Sequence, residues 1–101
     1  MTTILLACNA GMSTSLLVQK MQAEVAAQGL DVEVVAGPLN KALERIGSAD
    51  VLLLGPQIAY AKKDAEAAAG DTPVAVIEMV DYGRMNAPKI LADALALAEG
   101  K

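Results

Sequence analysis

The stretch Thr3-Ile4-Leu5-Leu6-Ala7-Cys8-Asn9-Ala10-Gly11-Met12-Ser13-Thr14-Ser15-Leu16-Leu17 decides the architecture of this chain. Thr3 to Ala7 is a short apolar run that reads as a buried strand. A loop of small and hydroxylated residues follows, and then a helical pattern in which Leu17, Met21 and Val25 recur at four-residue spacing. Gln28-Gly29 closes that helix, with glycine just past its end. A buried strand, a tight loop and an amphipathic helix form the first half of a β-α-β unit.

Outward from this unit the pattern repeats. Asp31 to Val35 mixes charged and β-branched residues and predicts a strand with one partly exposed side. Pro38 opens a shorter helix with Leu39, Ala42, Leu43 and Ile46 on one stripe and Gly47 after it. Val51 to Leu54 is uninterrupted aliphatic and predicts a central strand covered on both faces. Gly55-Pro56 breaks it, and an Ala-rich helix is expected from about Ile58 to Ala69, stopped by Gly70. Pro73 to Ile77 supplies a fourth strand, Glu78 to Asn86 reads as a loop, and Pro88 to Ala98 as a last helix. The order βαβαβαβα implies an α/β fold: a doubly wound, four-stranded parallel sheet with helices on both faces, spanning residues 1–101 as a single domain. With the half-polar second strand at an edge, the expected spatial order is 2-1-3-4. Winding then reverses between strands 1 and 3, and ligands bind beyond the carboxyl ends of the strands at such a point. Cys8 lies there.

Composition excludes several functions. A net charge of -4 gives no non-specific grip on nucleic acid or anionic lipid. There is no histidine, hence no imidazole base and no histidine metal site, and no cofactor is expected. A single cysteine rules out an internal disulfide and a cysteine-rich zinc cluster. Apolar runs are too short to cross a bilayer, which takes about 20 residues. Leu5-Leu6-Ala7-Cys8 superficially resembles the end of a lipoprotein signal, but no Lys or Arg precedes it and its apolar stretch is too short. The expected location is the cytoplasm, without insertion into the membrane.

The loop from Cys8 to Ser15 suits an anion. Ala10, Gly11, Ser13 and Ser15 allow close backbone approach, and Gly11 permits positive φ. Successive N–H groups form a concave nest beside the unpartnered first amides of a helix. Ser13, Thr14 and Ser15 can donate further hydrogen bonds or cap the helix. The same field favours ionisation of the Cys8 thiol, since thiols at helix N-termini have pKa values of roughly 3.5 to 7.5. A nucleophile in an oxyanion cradle is the minimum equipment for phosphoryl transfer. The plainer reading, an inert core cysteine, fits poorly with a position directly ahead of a Gly/Ser/Thr loop. Small tyrosine phosphatases also carry a cysteine loop on this kind of sheet, but with Arg six places after the cysteine and an Asp-Pro general acid. Here that place holds Thr14, and no Asp-Pro pair occurs. An S-phosphate in this loop would therefore await a dedicated acceptor.

The segment from Cys8 through Ser15 to Val18 resembles the phosphocysteine loop of enzyme IIB in the lactose/cellobiose family of the bacterial sugar phosphotransferase system. Leu53-Leu54-Gly55-Pro56-Gln57-Ile58-Ala59-Tyr60 resembles that family's second signature, after the third strand. The resemblance runs over the whole chain, and Asn9 is a minor departure where relatives often carry Ser or Ala. It implies a protein-phosphocysteine–sugar phosphotransferase component. Cys8 would be the phosphocysteine nucleophile, with Asn9, Ala10, Gly11, Met12, Ser13, Thr14 and Ser15 as its phosphate loop. Its partners would be a phosphohistidine donor, enzyme IIA, and a membrane permease, enzyme IIC, holding a β-linked disaccharide. The resemblance implies the 2-1-3-4 sheet as well.

Other loops open beside Cys8. Gln57 and Tyr60 after strand 3, and Tyr82 and Arg84 after strand 4, are candidate contacts for phosphate or partners. Local readings compete: Gln57 near a helix start, Tyr60 as a half-buried aromatic, Arg84 as a solvated charge in a cluster with Asp81. Met12 and Ile58 are candidate apolar docking residues, and equally candidate core residues. The isolated domain is expected to be a monomer. Two other functions stay open on the residues alone: a small cysteine-dependent phosphatase of the low-molecular-weight type, and a non-catalytic anion- or flavin-binding module.

Overall fold

A computed structural model of the chain describes residues 2–8 and 12–99; for Cys8 and residues 12–15 it describes the backbone. Four strands, β1 (Thr2–Cys8), β2 (Val32–Pro38), β3 (Val51–Leu54) and β4 (Val74–Val76), form one sheet in the order β2-β1-β3-β4. All three pairings are parallel, with Ile4 opposite Val34 on one side and Val51 on the other. This is the order expected from the half-polar second strand: β2 alternates in exposure at the edge, whereas β3 is buried at all four residues.

Alternation along the strands divides the core into two layers. Ile4 and Leu6 of β1, with Val51 and Leu53 of β3, pack against helices α1 (Met12–Gln28) and α5 (Ala87–Glu99) through Leu17, Met21, Val25, Ile90 and Leu91. Leu5 and Ala7, with Leu52 and Leu54, face the other way onto α2 (Leu39–Arg45) and α3 (Lys62–Ala69), through Ala42, Ala65 and Ala69. Alanine on these two helices lets them sit close to the sheet. Each fully buried leucine of the strands contributes about 1.5–3 kcal/mol.

Turn chemistry explains where elements end. Gly29, at φ 66°, closes α1 in a Schellman motif: the N–H of Leu30 donates to the Val25 carbonyl at 3.0 Å and that of Gly29 to Ala26 at 3.2 Å. At the amino end of the sheet, Asp50 accepts the Thr3 N–H at 2.7 Å and returns its own N–H to the Thr3 carbonyl at 2.9 Å, fixing β1 against β3.

Three elements depart from expectation. Strand β2 runs on through Ala36, Gly37 and Pro38, so Pro38 caps α2 from outside rather than occupying its first turn. The Ala-rich helix begins as a 3-10 turn (Pro56–Ala61), with Ile58 at φ -120°, ψ 29°, before α3 proper. The segment read as a loop after β4 contains a short helix, α4 (Met79–Gly83). It too closes in a Schellman motif, with Asn86 N–H on the Asp81 carbonyl at 2.9 Å and Met85 N–H on Tyr82 at 3.1 Å. Met85 holds the left-handed position, at φ 51°. A helix that ends without glycine gives little warning of itself in sequence.

An ion pair fastens α4 to α5. Lys89 Nζ lies 2.8 Å from Asp81 Oδ2 and 3.1 Å from Asp93 Oδ2. Hydrogen bonds first to Asp81 and then to Asp93 raise the Lys89 ammonium above its ordinary value of 10.5. Because the folded value is the higher one, the pair's contribution is complete below the ordinary lysine range and is lost only in stronger alkali. Lys89→Met is therefore expected to lower the melting temperature by a similar amount from pH 7 to 9. Thermal melts across that range check this, and a difference that vanishes by pH 9 would contradict it.

Candidate functional site

Cys8 is the last residue of β1, paired in register with Pro38 of β2. The next helix backbone starts at Met12, so three residues separate the strand from the first turn of a 17-residue helix. That first turn carries no acidic residue to offset its unpartnered amides. The intervening Asn9, Ala10 and Gly11, and the side chains of Cys8, Met12, Ser13, Thr14 and Ser15, lie outside the described residues. What the structure gives is the frame: a central strand delivers residue 8 to the carboxyl end of the sheet, where a long helix begins directly afterwards.

The other walls come from the connections after β3 and β4. Gly55, buried just beyond β3, donates its N–H to the Ala7 carbonyl at 3.0 Å, which extends the β1–β3 ladder to the edge of the cysteine. A methyl group placed on Gly55 would stand 3.0 Å from Gln57 Oε1, 3.6 Å from Tyr82 Cε2 and 3.7 Å from the Ala7 oxygen. Gln57 and Tyr82, two residues expected at the mouth, are thus brought together around Gly55, beside the residue preceding Cys8. The Tyr82 ring is buried in the α1/α5 layer. Gln57 is exposed.

The remaining candidates separate. Tyr60 is 79% exposed rather than half-buried, standing out from the 3-10 turn after β3. Arg84 is exposed at the carboxyl end of α4, its N–H donating to the Val80 carbonyl at 3.0 Å. Asp81, grouped with it in sequence, is instead buried and paired with Lys89. Ile58, offered as a docking residue, is in the core at 1% exposure because the 3-10 turn directs it onto the sheet. Exposed apolar side chains stand elsewhere: Met79 at 76%, Val80 at 60% and Leu16 at 46%. Sequence reading overlooked all three. The signal was present in Met79-Val80, two apolar neighbours in a polar connection. Leu16, Tyr60, Met79 and Val80 all belong to connections leaving the carboxyl ends of β1, β3 and β4.

The strands and helices define a small doubly wound α/β domain, with the candidate site at the carboxyl end of the central strand. Residues 3–93 match the family model described as PTS system, Lactose/Cellobiose specific IIB subunit. The chain is 48% identical over 98 residues to the galactose-specific EIIB component of Lactococcus lactis subsp. cremoris, covering 90% of this chain and 91% of that one. It is 40% identical to the oligo-beta-mannoside-specific EIIB component of Bacillus subtilis, covering 96% of each. The solution structure of a cellobiose-specific IIB component from Borrelia burgdorferi superposes with a TM-score of 0.83 at 34% identity, covering 99% of this chain and 94% of that one. A lactose-specific IIB domain from Streptococcus pneumoniae shares the fold, with a TM-score of 0.80 at 15% identity over 94% of this chain and 95% of that one. The chain belongs to the lactose/cellobiose-specific IIB family of the sugar phosphotransferase system. It is a phosphotransferase component, of a kind that works with IIA and IIC components. No helix among the described residues is long and apolar enough to cross a membrane.

Proposed function

We propose that Cys8 carries the phosphoryl group, taking it from a phosphohistidine on enzyme IIA and delivering it to a sugar held by the permease IIC. The observation that carries this is the placement of the cysteine as the last residue of the central strand, with a long helix starting at Met12. In the first step the Cys8 thiolate attacks phosphorus in line; the S–P bond forms, the N–P bond breaks, and the histidine nitrogen leaves with its electron pair. In the second step a sugar hydroxyl attacks, the O–P bond forms and the S–P bond breaks. The hydroxyl proton goes to a base in the permease, and the thiolate is restored. The backbone amides of residues 9–15 would receive the phosphoryl oxygens in both steps. The chain has no histidine of its own, so a phosphohistidine must come from another protein. By analogy with the cellobiose-specific relative the sugar is a β-linked disaccharide, chosen by the permease.

Incubation with phosphorylated IIA tests the reading: mass spectrometry should find one phosphoryl group per chain, on Cys8. Labelling at another residue, or continuous release of phosphate as from a phosphatase, would count against it.

The exposed Leu16, Tyr60, Met79 and Val80 supply the apolar face on which IIA docks. Met79→Asp/Val80→Asp is expected to slow phosphoryl acceptance about tenfold, the loss of roughly 1.4 kcal/mol of contact. Both side chains point to solvent in the free protein, so the melting temperature should change little. An unchanged acceptance rate would remove α4 from the docking face.

A further inference from the structure

An open sheet has two edges, and here they are unequal: β4 offers three residues and β2 offers seven. An edge of that length is a template for another strand. Which groups β2 presents there follows from the ladder. The Thr2 N–H donates to the Asp31 carbonyl at 3.1 Å, and Thr2 stands opposite Val32 in register. Successive residues of a parallel strand turn their N–H and C=O alternately toward one side and the other. Glu33 and Val35 therefore bond to β1, while Val32, Val34, Ala36 and Pro38 face outward. Two of those outward positions are closed. Gln22 of α1 donates from Nε2 to the Val34 carbonyl at 3.1 Å. Pro38 has no N–H to offer, which is the form in which a sheet edge tolerates proline.

We propose that Gln22 is a guard on the β2 edge, occupying the acceptor through which β2 would pair with the β2 of a second copy of this chain. A second copy is the occupant that fits, because two identical edges related by a two-fold axis are complementary in antiparallel order. With the axis at Val34, that residue would exchange both hydrogen bonds with its own counterpart, and Val32 would bond Ala36 across the axis. Gln22 takes the carbonyl at the centre of that arrangement. The side chain is exposed and lies in the open groove between α1 and β2, beside Val25, Val32 and Glu33. Water would satisfy a solvent-facing edge carbonyl as well, so the strand does not need the glutamine for its own hydrogen bonding. What the glutamine adds is obstruction. Glu33, exposed on the same strand, adds a charge that two paired edges would bring together.

Sedimentation velocity over a concentration series tests this with the wild type, Gln22→Ala, Gln22→Lys and Gln22→Ala/Pro38→Val. Alanine on an exposed helix position keeps the fold. The wild type should stay monomeric, and Gln22→Ala should tighten self-association about tenfold. Replacing Pro38 as well restores an edge donor and should tighten it further. Gln22→Lys keeps a donor and adds a charge, so it should return the chain to monomer. Amide hydrogen exchange locates the contact. On association the Val34 and Ala36 N–H groups should exchange about tenfold more slowly, while those of Glu33 and Val35, already bonded to β1, change little. A Gln22→Ala protein that stays monomeric, association that leaves the Val34 and Ala36 amides unprotected, or a wild type already paired through β2 would each overturn the proposal. A lowered melting temperature without association would reduce the bond to a staple between α1 and β2, and would overturn it too.

Discussion

Wild-type protein mixed with phosphorylated IIA is expected to gain one phosphoryl group, and Cys8→Ser is expected to gain none, below roughly one part in a thousand of the wild-type rate. The serine exchange is the informative one, because it keeps a nucleophilic atom in nearly the same place. A thiol gives up its proton far more readily than an alcohol, and no histidine exists in the chain to act as base for the alcohol. Cys8→Ala should behave in the same way, which would show that the loss comes from the nucleophile. Both variants should melt close to the wild type, since the strand pairing of residue 8 with Pro38 is made by the backbone. Full labelling of either variant would end the assignment of Cys8 as carrier.

Tyr82→Ala should be the most damaging substitution outside the loop. The ring is 8% exposed and packs in the same layer as Leu6, Leu17 and Ile90, so its removal leaves a cavity as well as losing transfer energy. About 3 kcal/mol is expected, a large share of the roughly 5–15 kcal/mol that holds a domain folded. In a chain of this size that lowers the melting temperature by roughly 12–24 °C. Tyr82→Phe keeps the ring and should retain most of the stability. The cavity opens against Gly55, so Tyr82→Ala should also slow phosphoryl transfer at temperatures where it remains folded. Denaturant unfolding followed by circular dichroism measures the first effect, and a loss under about 1 kcal/mol would mean the ring carries little of the packing.

The strands were the most legible part of the chain. Val51 to Leu54 coincides with β3, and the charged positions of Asp31 to Val35 correctly sent β2 to an edge. That placement and the family resemblance together led to the order 2-1-3-4, which the sheet adopts. What escaped reading depended on partners distant in sequence. α4 is a single turn whose carboxyl end is closed by Met85 in a conformation usually left to glycine. Ile58 reads equally as a docking or a core residue, and the 3-10 turn decides for the core. Asp81 looked like part of a polar mouth until its partner, Lys89, was seen on the following helix. Gln57 and Tyr82 were legible as candidates, but the glycine between them was read as a break in the chain alone.

The two tyrosines also determine how the molecule absorbs and emits light. With no tryptophan and no phenylalanine, the near-ultraviolet spectrum and the intrinsic fluorescence arise from Tyr60 and Tyr82 alone. One ring stands in water at 79% exposure and the other is enclosed at 8%, and both leave the same end of the sheet. The protein is therefore a two-channel optical probe of its own mouth: an aqueous quencher reads the first ring, near-ultraviolet dichroism the second. Without a tryptophan acceptor on this chain, neither signal is drained by energy transfer within it.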